Sequence, residues 1–132
     1  MAHDVPEPAE SLLTSEPLVA HLATCVEKRP HVAPVWYLYD DGKLEIVTGG
    51  KKLTNIKRNP RVACSIEKSA GGSTEWMVSL LGTATVIDDA AAFAETNRRI
   101  NAKYGASEEA YSENTLVEIE IGSMSVQRYD ED

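Results

Sequence analysis

The sequence predicts a mainly β domain: one antiparallel barrel of seven strands, with two or three short helices packed against it. Three observations carry this expectation. Seven short runs of branched and apolar residues alternate with turn chemistry such as Lys28-Arg29-Pro30 and Asp40-Asp41-Gly42. The run His31 to Tyr39 is apolar or aromatic on both faces, as expected of a barrel wall that a helix, a ligand or a second subunit also covers. Finally, 132 residues at 42% hydrophobic supply one core, so residues 1–132 are read as a single domain.

Residues 1–10 carry two prolines and read as a loose acidic arm, and Glu10 to Ser15 as a short helix docked by Leu12 and Leu13. Leu18 to Val26 (LVAHLATCV) is the first strand, Lys28 to Pro30 its turn and His31 to Tyr39 the second strand. In that strand Val32, Pro34, Trp36 and Leu38 share one face, and Ala33, Val35, Tyr37 and Tyr39 the other. Pro34 lacks a ladder donor, which calls for an edge position or a bulge. Asp40-Asp41-Gly42 predicts a hairpin returning through Leu44 to Thr48.

Gly49-Gly50 breaks that strand. Lys52 to Asn59 places Leu53 and Ile56 on one stripe of a short helix, which Pro60 ends. Arg61 to Glu67 is a strand, the polar stretch 68–75 a loop, and Trp76 to Ile87 a long strand with a bend or bulge at Gly82. Asp88 or Asp89 caps a helix over Ala90 to Tyr104, with Phe93, Ala94, Asn97, Ile100 and Tyr104 roughly on one face and Gly105 as terminator. Leu116 to Ile121 alternates cleanly, and after Gly122 a last strand runs from Met124 to Tyr129. A dimer follows from the doubly apolar second strand.

The net charge of −8 argues against nucleic acid and anionic membrane surfaces as partners. No apolar run approaches the roughly 20 residues of a membrane span. The N-terminus lacks the apolar stretch of a secretory signal, and Cys25 and Cys64 read as buried, reduced thiols; the expected location is the cytoplasm. Charge is unevenly placed. Glu27 to Lys68 holds nine of the 13 basic residues and five of the 21 acids, and Lys51 to Arg61 holds five basic residues and no acid. That island is either a small-anion site or a solvated helix face.

Side-chain catalysis finds no support. His3, His21 and His31 are scattered, His21 reads as a barrel residue, and the HxH, HExxH, GxSxG, GxGxxG and Walker patterns are absent, so no metal site is expected. Chemistry would then come from a bound cofactor. The segment Thr48-Gly49-Gly50-Lys51-Lys52 suits a phosphate: a strand ending in a hydroxyl, two glycines permitting close backbone approach, and two lysines opening a helix. A plain strand–turn–helix junction with solvated lysines would read the same way.

Residues 22–67, LATCVEKRPHVAPVWYLYDDGKLEIVTGGKKLTNIKRNPRVACSIE, closely resemble the pyridoxamine 5′-phosphate oxidase-like flavin-binding split-barrel superfamily. The shared pattern is a "LAT" first strand, "P-W" in the second, a "DG" hairpin, "T…K", then "N-hydrophobic-x-x-N-P-R-V". Gly82 and Ala84 continue it. The resemblance implies a six- to seven-stranded antiparallel split β-barrel, a homodimer with FMN in a cleft between subunits. By position, Lys51 and Lys52 would hold the phosphate, Thr48 would add a hydroxyl bond, and Gly49 would allow close approach. Val35, Trp36 and Tyr37 would line the flavin ring, Asn55 would help the cradle or cap it, and Trp76 or Met77 would cover the ring from the partner. Tyr37 and Tyr39 would be either proton donors or packing residues.

Two departures narrow the function. The chain ends in VQRYDED, without the Arg- and His-rich substrate segment of vitamin B6 oxidases. Its phosphate segment is also two residues shorter, the form found in the flavin/deazaflavin oxidoreductase branch. The expectation is therefore an FMN-binding oxidoreductase of a small-molecule substrate, transferring hydride through flavin N5. The alternatives are a deazaflavin-dependent reductase or a non-catalytic flavin-binding protein on the same fold.

Overall fold

A computed structural model describes residues 7–129 of the chain, side chains from residue 9 onward. Helix α1 (Glu7–Leu13) precedes β1 (Ala20–Val26), β2 (Arg29–Val35), β3 (Leu38–Asp40) and β4 (Lys43–Thr48). Then come α2 (Gly50–Arg58), β5 (Arg61–Ala70), β6 (Ser73–Ile87), α3 (Ala90–Tyr104) and β7 (Thr115–Arg128). All seven strands form one antiparallel sheet in the order β2-β1-β5-β6-β7-β4-β3.

That order decides the shape. β2 and β3 are consecutive in the chain yet sit on opposite edges of the sheet. Seven flat strands at 4.8 Å spacing would span roughly 29 Å. Trp36 and Tyr37 alone join Val35 to Leu38, a reach of at most about 11 Å. The sheet must therefore curl until its edges nearly meet, which makes a barrel with an open seam at Trp36-Tyr37. The predicted strand from His31 to Tyr39 is thus two strands on two edges. Its turn also moves: Glu27 and Lys28, both at positive φ (53° and 66°), form it, and β2 begins at Arg29. Pro34 lies on the edge strand, where its missing donor costs no ladder bond.

Inside the barrel pack Leu22, Leu44, Ile46, Ile66, Val78 and Ile119, each with no exposed surface. The hairpin at Asp40-Asp41-Gly42 forms with positive φ at both central residues (46° and 83°). The stretch expected as a loop is a third such hairpin, after those at Glu27-Lys28 and Asp41-Gly42, because β5 and β6 run on to Ala70 and Ser73 and leave Gly71-Gly72 as the turn, at φ 58° and 87°. The last two predicted strands are one, continuous through Gly122. The bulge expected at Gly82 is present, but the extra residue is Gly122 on β7: Gly82 pairs with Ile121 and Leu81 with Ser123.

Helix α3 starts on Asp89, whose side chain accepts from Ala92 N at 3.0 Å, and ends on Gly105 at φ 74°. Its buried face is Thr96, Asn97, Ile100 and Asn101, so the stripe is rotated from expectation and Ala94 is exposed. Helix α2 ends at Asn59, before Pro60, with Ile56 in the core and Leu53 packed against it. Cys64 is buried, its thiol pushed up to about 12 by burial, whereas Cys25 is half-buried; both are free. Among the described residues no helix is long and apolar enough to cross a membrane.

Candidate functional site

Where β2 leaves the sheet, the backbone of the seam loses its ladder partners, and α3 replaces them. Tyr37 N–H donates to the Tyr104 hydroxyl at 3.2 Å, and Lys103 Nζ donates to Tyr37 O at 2.8 Å while lying 4.0 Å over the Tyr37 ring. Burial pushes the Lys103 ammonium down to about 8. The Tyr104 ring stacks on Trp36, with centroids 4.7 Å apart and planes 5° from parallel, and Tyr111 meets the same indole edge-on at 5.5 Å. Trp36 is thereby fixed at the seam.

Beside it opens a cleft of about 540 Å³. Val35 and Trp36 line it from the seam, Thr48, Gly49 and Gly50 bring in the β4–α2 junction, and Lys52 adds a cation. At that junction the local sequence leaves the start of α2 uncapped. Gly49 has no side-chain cap bond, the first turn of α2 carries no acid, and the first-turn amides remain available. A Cβ on Gly49 would meet Asn114 Oδ1 at 3.0 Å, and Gly50 adopts φ +66° facing open space. Each glycine therefore has its own reason: close approach in one case, left-handed backbone in the other. The Thr48 hydroxyl is buried with no hydrogen-bond partner among the described residues.

Of the nine candidate cofactor residues, Val35, Trp36, Thr48, Gly49 and Lys52 line this cleft. Lys51 is exposed on the first turn of α2, outside the lining. Asn55 points inward and donates to Thr24 Oγ1 at 3.0 Å, both residues being buried, so it ties α2 to β1. Tyr37 also points inward, its hydroxyl donating to Leu13 O at 2.6 Å. The Tyr39 hydroxyl donates to the Glu10 carboxylate. Both phenols are held by α1, the packing alternative, and burial raises both pKa values, that of Tyr39 to about 12. Trp76 is 3% exposed within the core and has no surface to offer a partner's cleft, whereas Met77 faces outward.

The contribution of α3 escaped the sequence reading. Asn97, Ile100 and Asn101 of α3, with Tyr111 and Asn114 of the following loop, also line the cleft. The available signal was a pair of asparagines at i and i+4 on the apolar stripe. His21 is exposed, and among the described residues no group of three or more His, Cys, Asp or Glu is placed to hold a metal.

The family model described as pyridoxamine 5′-phosphate oxidase matches residues 6–128. No curated protein matches the chain. Among solved structures, an F420 reductase is 27% identical, with a TM-score of 0.74 over 92% of this chain and 98% of its own. An FAD-binding protein of Mesorhizobium loti is 21% identical, with a TM-score of 0.74 over 90% and 89%. The haem storage protein HutZ of Vibrio cholerae is 13% identical, with a TM-score of 0.77 over 92% and 93%; these last two likenesses are of fold. On a sequence match spanning nearly its full length, the chain belongs to the pyridoxamine 5′-phosphate oxidase family.

Proposed function

We propose that the cleft holds FMN and that the protein is a flavin-dependent oxidoreductase of a small-molecule substrate, working in the cytoplasm. The observation that supports this most directly is one cavity joining an aromatic seam to an uncapped helix start with a lysine. The residues present fit the group. Val35 and Trp36 offer apolar contacts to a ring, while the first turn of α2 offers amides and the Lys52 ammonium group to a phosphate. Bound flavin would supply hydride exchange at N5. The chain's part is to orient the ring on β2, anchor the phosphate and exclude water. Lys52 and Tyr111 are the titratable residues among those lining the cleft, so the chain places neither a carboxylate nor a histidine there.

The absorption spectrum after adding FMN and removing the excess tests the proposal. Retained flavin is expected, and a colourless protein refutes it. Lys51→Ala with Lys52→Ala should weaken retention at least tenfold, since the Lys52 ammonium lines the cleft and Lys51 lies beside it on the first turn of α2. The likeness to an F420 reductase supports a second reading, in which a deazaflavin occupies the same cleft. Fluorescence quenching with the two cofactors side by side separates them.

A homodimer belongs to the same proposal. Register aligns Val32, Ala23, Ala63 and Leu81 in one row across β2, β1, β5 and β6 on the outer sheet face. Val32 and Leu81 are 65% and 62% exposed, and the row carries no charge. A second copy laid on that row would remove it from water.

A further inference from the structure

Two asparagines buried on one helix face fill a core poorly unless their hydrogen bonds are complete, and here they are half complete. The side-chain nitrogens of Asn97 and Asn101 both donate to Ala110 O at 2.9 Å, and that of Asn101 also reaches Glu108 O at 3.2 Å. Those carbonyls accept only, so they fix which end of each carboxamide is nitrogen. Turning either amide over would set oxygen against oxygen. Both Oδ1 atoms are left buried with no partner among the described residues, as is Thr48 Oγ1. Asn97, Asn101 and Thr48 are 5%, 0% and 2% exposed, and all three line the cleft. Native proteins rarely leave several buried acceptors unmet around one cavity.

Their places in the fold indicate what would meet them. Tyr104 marks the aromatic end, where it stacks on Trp36. Asn101 and Asn97 follow back along α3, so Asn97 lies roughly 10 Å from Tyr104 along the helix axis at 1.5 Å per residue. Thr48 immediately precedes the Gly49–Lys52 anion end. We infer that Thr48, Asn97 and Asn101 form an acceptor rail for the hydroxyl donors of a polyol chain that joins an aromatic ring to a phosphate. A carboxylate would be repelled there, and an apolar linker would leave the oxygens bare. The inference rests on the flavin reading of this cleft and specifies the part of the ligand that reading leaves unassigned.

Equilibrium binding of riboflavin and lumiflavin, followed by fluorescence, tests it. The two share the ring, both lack phosphate, and only riboflavin carries the polyol. The wild type should bind riboflavin at least tenfold more tightly. Thr48→Val keeps the side-chain shape and leaves the Ala110 clamp intact. It and Asn101→Ala should each cut that preference about three- to tenfold, with lumiflavin affinity unchanged. An unchanged preference in both variants overturns the rail and leaves the FMN proposal standing. Equal losses for both ligands in both variants also overturn it. A wild type that binds FMN, riboflavin and lumiflavin not at all overturns the rail and the flavin reading together.

Discussion

Gly82 and Gly122 both lie at the β6–β7 bulge, and the structure predicts different consequences for giving each a methyl group. A Cβ on Gly82 would lie 2.7 Å from Glu120 O and 2.8 Å from Ile119 Cγ2. Neither neighbour yields easily. The carbonyl belongs to a strand paired on both sides, and Ile119 is fully buried in the core. Overpacking of this kind costs about 1–3 kcal/mol, and two contacts well inside van der Waals range place Gly82→Ala near the upper end, at about 3 kcal/mol. At roughly 3–5 °C per kcal/mol for a domain of this size, Tm should fall by about 10 °C. A Cβ on Gly122 would meet Leu81 O at 3.6 Å, an ordinary contact, so Gly122→Ala should stay within about 0.5 kcal/mol. Urea titration and thermal melting by circular dichroism measure both. A Gly82→Ala protein as stable as the wild type, or a Gly122→Ala protein equally damaged, would refute the packing argument.

Other predictions test other parts of the molecule. Lys28 holds φ +66° in the β1–β2 turn, so Lys28→Gly should stabilise by about 1 kcal/mol in urea, and a loss would contradict the strain. Leu81→Asp puts a charge into the exposed apolar row and should convert the dimer to monomer in light scattering; an unchanged mass would place the interface elsewhere. Lys103 is depressed from 10.5 to about 8 by burial. Between those values the unfolded chain keeps a proton that the folded chain has released, so this group's contribution to stability rises with pH. Wild type should therefore gain on Lys103→Met between pH 7.5 and 9.5 in paired urea titrations, and a constant difference would show that Lys103 does not titrate there.

The parts of this protein legible in the sequence are those decided within a few residues. Asp41-Gly42 needs positive φ and makes its hairpin, Asp89 caps the amide three residues on, and Gly105 stops α3. Alternation over Leu116–Ile121 puts Val117, Ile119 and Ile121 inward because strand side chains switch faces every residue. The basic stretch that holds α2 was equally visible, as five basic residues without an acid from Lys51 to Arg61. The tertiary structure decided the remainder. His31–Tyr39 looks like one strand, since nothing local marks a break; it divides because Tyr104 and Lys103, more than 65 residues away, supply the backbone bonds that the ladder gives up. Tyr37 and Asn55 turn away from the cleft for partners 24 and 31 positions distant. Asn97 and Asn101 enter it because α3 is rotated to dock on the barrel and clamp Ala110, a relation that the helical pattern of α3 does not encode.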